Sequence, residues 1–297
     1  SFLRSLMIVH THFVTNNAVL SAISVGLLYL TGCSVAPSTT KPDSNTVTIP
    51  TTIPTTQVNP DTQALTKRPL DKALQKCASE FLEKTQPTMT AKLSQKTYPL
   101  CFNGFAVMYS GVTKTPIWVA EHLTRQRITA AKTLVREDNF HEETRLPTEV
   151  RSLLSDYTRT GFDRGHLAPN ADMANPDSQF DSFSLANIAP QTPDNNRTTW
   201  VKIETQTRNL TNQYGSAYVV TGVAFLTPEI KRLKNRVLVP SHFFKAVYLP
   251  SQHQAIAFFS PNDDSGTVEK ISLSTLKKRT GVNAFPSLPS DVATISP

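Results

Sequence analysis

From residue 69 onward, apolar and polar positions follow two distinct periods. Residues 69–84 (PLDKALQKCASEFLEK) carry Leu70, Ala73, Leu74, Cys77, Phe81 and Leu82 at helical spacing. Residues 105–109 (FAVMY), 116–121 (PIWVAE), 217–225 (AYVVTGVAF), 237–249 (VLVPSHFFKAVYL) and 255–259 (AIAFF) read as β-strands. After Pro193-Asp194 a helical run through about Asn212 repeats Trp200, Ile203 and Leu210 near one face, with Asp194 or Thr192 as its cap. Residues 272–280 (SLSTLKKRT) predict a helix with a Ser272 N-cap and a stop at Gly281. Strands and helices do not alternate strictly, which predicts an α+β fold with a largely antiparallel central sheet flanked by helices.

Ahead of this region the pattern changes twice. Residues 18–30 (AVLSAISVGLLYL) form an apolar run after a segment whose only formal charge is Arg4. The run is short for a bilayer span and suits the apolar core of an export signal. It ends in Leu30-Thr31-Gly32-Cys33, which resembles the lipobox of bacterial lipoproteins. That resemblance implies cleavage before Cys33, membrane attachment through lipid on Cys33 and, with Ser34 next, an outer-membrane lipoprotein of the cell envelope facing the periplasm or the outside. Residues 35–66 are dominated by Thr and Pro and hold too few large apolar side chains to offset their ordering entropy, so they read as a semi-rigid spacer. The expected organisation is a signal peptide at 1–32, a lipidated cysteine and linker at 33–66, a globular domain at 67–290 and a tail at 291–297.

Composition narrows the classes. With 39% hydrophobic and 18% charged residues, the chain is neither a multi-span membrane protein nor wholly disordered. Lys+Arg 30 against Asp+Glu 23 gives +7, a balance that favours anionic partners such as nucleic acid or acidic lipid. Only 10 glycines argue against a Rossmann-type fingerprint. Once Cys33 is assigned to lipid, Cys77 and Cys101 remain, and in an oxidising compartment they read as one disulfide. Such a bond would stabilise the fold by roughly 3 kcal/mol on the chain-entropy model. The absence of CxxC and of any Cys/His cluster in the sequence argues against zinc.

The candidate chemistry lies between Asp163 and Glu204. Asp163-Arg164-Gly165-His166 is followed by Asn187-Ile188-Ala189-Pro190-Gln191, then by Asp194-Asn195-Asn196, Trp200 and Glu204. In order and spacing these blocks resemble the DNA/RNA non-specific endonuclease family, the ββα-metal nucleases. The likeness runs from roughly Tyr98 to Pro289 and includes VAEHLT at 119–124 and VPSHFFK at 239–245.

The resemblance implies an Mg²⁺-dependent endonuclease, with Mn²⁺ as a substitute, that hydrolyses DNA and RNA to 5′-phosphate products. It makes His166 the general base and Asn196 the single direct protein ligand of the metal. Glu204, eight residues on, orders the metal's water shell. Arg164 faces the scissile phosphate, where a guanidinium offers two parallel donors. A second, upstream arginine matches Arg136 best by distance, with Arg125 and Arg145 as competitors. Asn187 matches a recurrent family asparagine near the site, without an assigned role. Asn195 and Asn196 are adjacent; block spacing favours Asn196, and Asn195→Ala is expected to stay close to wild type.

Blander readings accompany these. Asp163 reads as an ion-pair partner of Arg164 or a loop cap, and Trp200 as core. The basic turn at 231–236 (KRLKNR) reads as a solvated loop or as phosphate contacts. Glu137, Asp138, Glu142 and Glu143 read as solvated surface. His122, His141, His242 and His253 are left structural. The competing function is a non-catalytic envelope lipoprotein that binds nucleic acid; intact His166, Asn196 and Glu204 favour the enzyme. No feature identifies an obligate protein partner.

Overall fold

The computed structural model describes residues 70–289 and 291–294. The export-signal run, Cys33 and the Thr/Pro tract lie outside these residues. Seven antiparallel strands run in the spatial order Glu269–Ile271, Gln254–Pro261, His242–Leu249, Ser216–Ala224, Thr115–Thr124, Phe105–Ser110 and Thr97–Phe102. An eighth, Ala293–Thr294, pairs in parallel with Gln254–Pro261. The largely antiparallel sheet expected from the apolar pattern is therefore present.

Both faces of this sheet are covered, which is why its strands read as near-continuous apolar runs. In Phe105–Ser110, Phe105, Val107 and Tyr109 enter one core while Ala106 and Met108 enter the other. The first core packs Trp200 and Ile203, from the helical segment after Asn195, against Val219, Phe243 and Val247. Trp200 is 1% exposed, with its ring 5.4 Å from that of Phe243, so it is a core residue as its spacing predicts. The second core takes Leu74, Cys77 and Phe81 from the start of the described chain and Leu276 from the helix Leu273–Thr280. That helix begins where predicted: Ser272 Oγ accepts from Thr275 N, and Gly281 ends it.

Three local expectations change. Residues 69–84 form 3₁₀ turns, Lys72–Glu80 and Leu82–Lys84, rather than one α-helix. Cys77 leaves helical geometry and Phe81 is extended, and the three-residue repeat of 3₁₀ geometry aligns Leu74 with Cys77 toward the sheet. Cys77 is bonded to Cys101 with their Cα atoms 5.7 Å apart, which ties this segment to the edge strand. The 237–249 run is broken into Val237–Leu238 and His242–Leu249, because Pro240 has no N–H for a ladder. Glu143 is not solvated: it is 6% exposed, paired with Arg145 and accepting from Ser184 Oγ. Among the described residues no helix is long and apolar enough to cross a membrane.

Candidate active site

A second, two-stranded sheet pairs Asp163–His166 antiparallel with Ile188–Gln191, placing His166 opposite Ile188 and Asp163 opposite Gln191. Gly165 lets these strands close: a Cβ there would lie 2.2 Å from Gln191 Oε1 and 2.8 Å from its Cβ. The helical segment that follows, Asn195–Trp200 and then Val201–Tyr214, completes a ββα unit. Its elements line an open cavity of about 750 Å³ that takes in Arg136, Arg164, His166, Asn196 and Glu204. Five of the six sequence-derived site residues therefore meet in one cleft. The sixth, Asn187, is fully buried behind it. Its Oδ1 accepts from Ala168 N at 2.9 Å, and its Nδ2 donates to Ala168 O at 2.9 Å and Ser182 O at 2.8 Å. It thereby clamps the chain just beyond His166.

The His166 ring sits among aromatic side chains, 5.3 Å from Phe140 and edge-on to Phe183 at 4.9 Å. Each of those rings carries a guanidinium: Arg164 lies 4.1 Å over Phe140 and Arg136 5.3 Å over Phe183. Two cations and the imidazole are thus fixed by one pair of phenylalanines. His166 Nε2 is buried without a hydrogen-bond partner. Burial pushes the imidazole pKa down to about 3, with Arg136 and then Arg164 adding to the shift and Asp138 opposing it. The ring is neutral across the physiological range, as a proton acceptor must be.

Asp163 is paired with Arg197 rather than Arg164, through contacts of 2.7 and 2.8 Å. The same carboxylate accepts from Asn196 Nδ2 at 2.9 Å. An ionised carboxylate only accepts, so the amide nitrogen is fixed toward Asp163 and the carbonyl oxygen is left uncommitted. Asn195, one residue earlier, is buried and fully used. Its Oδ1 accepts from Gln191 Nε2, and its Nδ2 donates to Ser260 Oγ at 3.0 Å and Pro261 O at 2.8 Å. The expectation that Asn195→Ala stays close to wild type is corrected accordingly, because truncation leaves the buried Gln191 Nε2 without its partner and removes two further bonds, to Ser260 Oγ and Pro261 O. The helical segment starts from Thr192, whose Oγ1 accepts from Asn195 N and whose carbonyl accepts from Asn196 N; Asp194 makes no cap bond. Its first turn, Asn195–Trp200, is π-helical.

Glu204 lines the same cavity and accepts no hydrogen bond from a described side chain. Burial pushes its pKa up to about 7; Lys245 opposes the shift and Asp172 adds to it. Lys245 is itself buried, donating to Thr221 Oγ1 across the neighbouring strand and lying 5.9 Å over the Trp200 ring. The donor set suits a hard cation, since Asn196 Oδ1 and the Glu204 carboxylate are both oxygens. Among the described residues no group of three or more His, Cys, Asp or Glu is gathered for a metal. A cation here would keep most of its water, which is the habit of Mg²⁺ and not of structural zinc.

Of the three upstream arginines, only Arg136 reaches the cavity, where it pairs with Asp138 at 2.7 Å. Arg145 is held by Glu143 and by Cys101 O, and Arg125 donates to Asn212 O. The basic turn at 231–236 is a small hairpin. Its Arg236 is committed to Asp156 at 2.9 Å, and its Lys231 stacks 4.7 Å over Phe162. Sequence reasoning did not find Phe140, Phe183, Arg197 or Lys245. Lys245 left one trace, a lysine at an inward position of an alternating strand; the two phenylalanines left none.

The fold and the cleft together define a nuclease of the ββα type. The model of the DNA/RNA non-specific endonuclease family matches residues 84–291, and the chain belongs to that family. It is 31% identical to Nuclease C1 of Cunninghamella echinulata var. echinulata over 64% of this chain and 83% of that protein. It is 31% identical to a nuclease of Nostoc sp., over 68% and 78% of the two chains. With human mitochondrial endonuclease G it shares 30% identity over 68% and 72%. The solved EndoG/EndoGI complex contains a chain with the same fold, at a TM-score of 0.60 and 24% identity, covering 66% of this chain and 88% of that one. The protein is an endonuclease, a hydrolase acting on nucleic acid.

Proposed function

We propose that this endonuclease cleaves the P–O3′ bond of DNA and RNA to leave 5′-phosphate ends, with Mg²⁺ as its cofactor and Mn²⁺ as a substitute. The observation that carries the reading is the sharing of one cleft by a neutral His166 and an Asn196 carbonyl oxygen freed by Asp163. His166 takes the proton from an attacking water as the new P–O bond forms, and the electron pair of the breaking bond leaves on O3′. Arg164 offers parallel donors to the phosphate oxygens, with Arg136, held over Phe183, adding charge in the same cleft. Asn196 would hold Mg²⁺ directly and Glu204 through its water shell. When bound, Mg²⁺ supplies Lewis-acid stabilisation of the phosphorane and of the leaving oxygen. Plasmid DNA and RNA are both expected to be degraded with Mg²⁺ and spared after EDTA, and the DNA fragments to carry ligatable 5′-phosphates. Cleavage that survives EDTA, or fragments ending in 3′-phosphate, would overturn the reading.

We further read Cys33 as the acylated first residue of an envelope-anchored mature protein, supported by the apolar run ending in Leu30-Thr31-Gly32-Cys33. Cys33→Ser is expected to move the protein from the detergent phase to the aqueous phase; unchanged partitioning sinks the anchor.

A further inference from the structure

Four arginines line the cleft, and they differ in what already occupies them. Arg136 is paired with Asp138 and Arg197 with Asp163. Arg164 is stacked on Phe140 and assigned above to the scissile phosphate. Arg159 is exposed and, among the described residues, makes no ion pair, side-chain hydrogen bond or ring contact. It is also held at a φ of +58°, in the left-handed region that a side chain with a Cβ adopts at a cost. None of the other described non-glycine residues with positive φ lines the cleft. The turn that imposes this geometry is built locally. Thr160 Oγ1 donates to Tyr157 O at 2.9 Å and accepts from Phe162 N at 3.4 Å, and Gly161 follows at a φ of +81°. A glycine at position 159 would relieve the strain, yet the position carries the bulkiest of the cations. Strain kept at a cleft wall, with an uncommitted charge on it, is the combination expected of a binding group.

We propose that Arg159 binds a backbone phosphate of the nucleic acid other than the one being cleaved, forming a second phosphate subsite on the wall that leads into the Asp163–His166 strand. The proposal rests on Arg164 serving the scissile phosphate. Arg159 and Arg164 are five residues apart, a chain reach of at most about 18 Å. At about 3.4 Å per nucleotide along one strand, the second phosphate lies within about five nucleotides of the cut.

The test compares wild type, Arg159→Gly, Arg159→Lys and His166→Ala on a long DNA duplex over a range of salt concentrations, with melting temperatures measured alongside. For Arg159→Gly the loss is expected in KM, by about three- to tenfold, rather than in kcat. The log–log slope of kcat/KM against salt should become shallower by about 0.9, the value for one lost phosphate contact on duplex DNA. Its melting temperature should hold or rise, because glycine accepts the turn geometry. Arg159→Lys should restore the salt slope. A loss in kcat equal to that in kcat/KM would put Arg159 at the scissile phosphate and overturn the subsite. So would an unchanged salt slope, or a melting temperature that falls with activity. His166→Ala separates the two layers: if it remains active, the site assignment fails. If it is inactive while the Arg159→Gly slope is unchanged, only the subsite fails.

Discussion

His166→Ala is expected to lower kcat by about 10²–10⁴ while substrate binding stays close to wild type, the loss usual when a general base is removed. The ring touches Phe140 and Phe183, and the variant's fold is checked by its melting temperature; retained duplex binding on a gel separates lost chemistry from lost structure. The pH profile carries the sharper signature. A folded-state pKa of about 3 means the imidazole is already deprotonated at every pH from 5 upward. His166 therefore contributes no acid limb near its ordinary value of about 6.5. Glu204, pushed up to about 7, does protonate as the pH falls through neutrality. A cation beside it favours the ionised form, so raising Mg²⁺ should move the acid limb of wild-type kcat/KM to lower pH. A limb fixed near pH 6.5 at all Mg²⁺ concentrations would mean that the base is an ordinary solvated imidazole, contrary to its surroundings.

Asn196→Ala is expected to raise the Mg²⁺ concentration for half-maximal cleavage by roughly 10–100-fold, and high Mg²⁺ should recover part of the rate. No such recovery is expected for His166→Ala, since added metal does not replace a proton acceptor. Asn195→Ala is the informative neighbour. It leaves the Asn196 carbonyl in place but strands the buried Gln191 Nε2 and removes the bonds to Ser260 Oγ and Pro261 O, so its loss should be in stability, by about 1–3 kcal/mol. Cleavage against Mg²⁺ concentration and thermal melting, run on both variants, separate these outcomes. A shifted Mg²⁺ requirement in Asn195→Ala with an unshifted one in Asn196→Ala would exchange the roles of the two asparagines.

What the sequence disclosed and what it concealed divide along physical lines. Strands such as Phe105–Ser110 were legible because burial on both faces demands apolar side chains at every position. The helix from Leu273 was legible because its cap and its glycine stop are local. The cleft residues around Asp163–His166 were legible as a spaced set, since one strand, one return strand and one helix bring them together over a short stretch of chain. Long-range pairings were not. Asp163 chose Arg197, far along the chain, over its neighbour Arg164. Glu143 lost its solvent to Arg145 and Ser184. Phe140 and Phe183 look like any other aromatic residues until the fold packs them against each other and against one imidazole. The commitment of Asn195, rather than Asn196, to the sheet depends on Ser260 and Pro261, which no local pattern connects to it.

The π-helical turn at Asn195–Trp200 has a consequence for how this gene can vary. That turn carries its extra residue between two constraints: Asn195 is anchored to the large sheet, and Trp200 is buried in its core. A π turn takes about one residue more than the roughly 3.6 of an α turn, so the extra residue is absorbed within the turn and its flanks keep the facing they would have on an α-helix one residue shorter. Deleting one residue between Asn196 and Trp200 should therefore tighten the turn to ordinary α geometry while leaving the Asn195 anchor, the uncommitted Asn196 amide and Glu204 close to their present phase. The segment thus holds slack in the helix: it tolerates the loss of one residue where an ordinary α turn would swing its upstream side by about 100°.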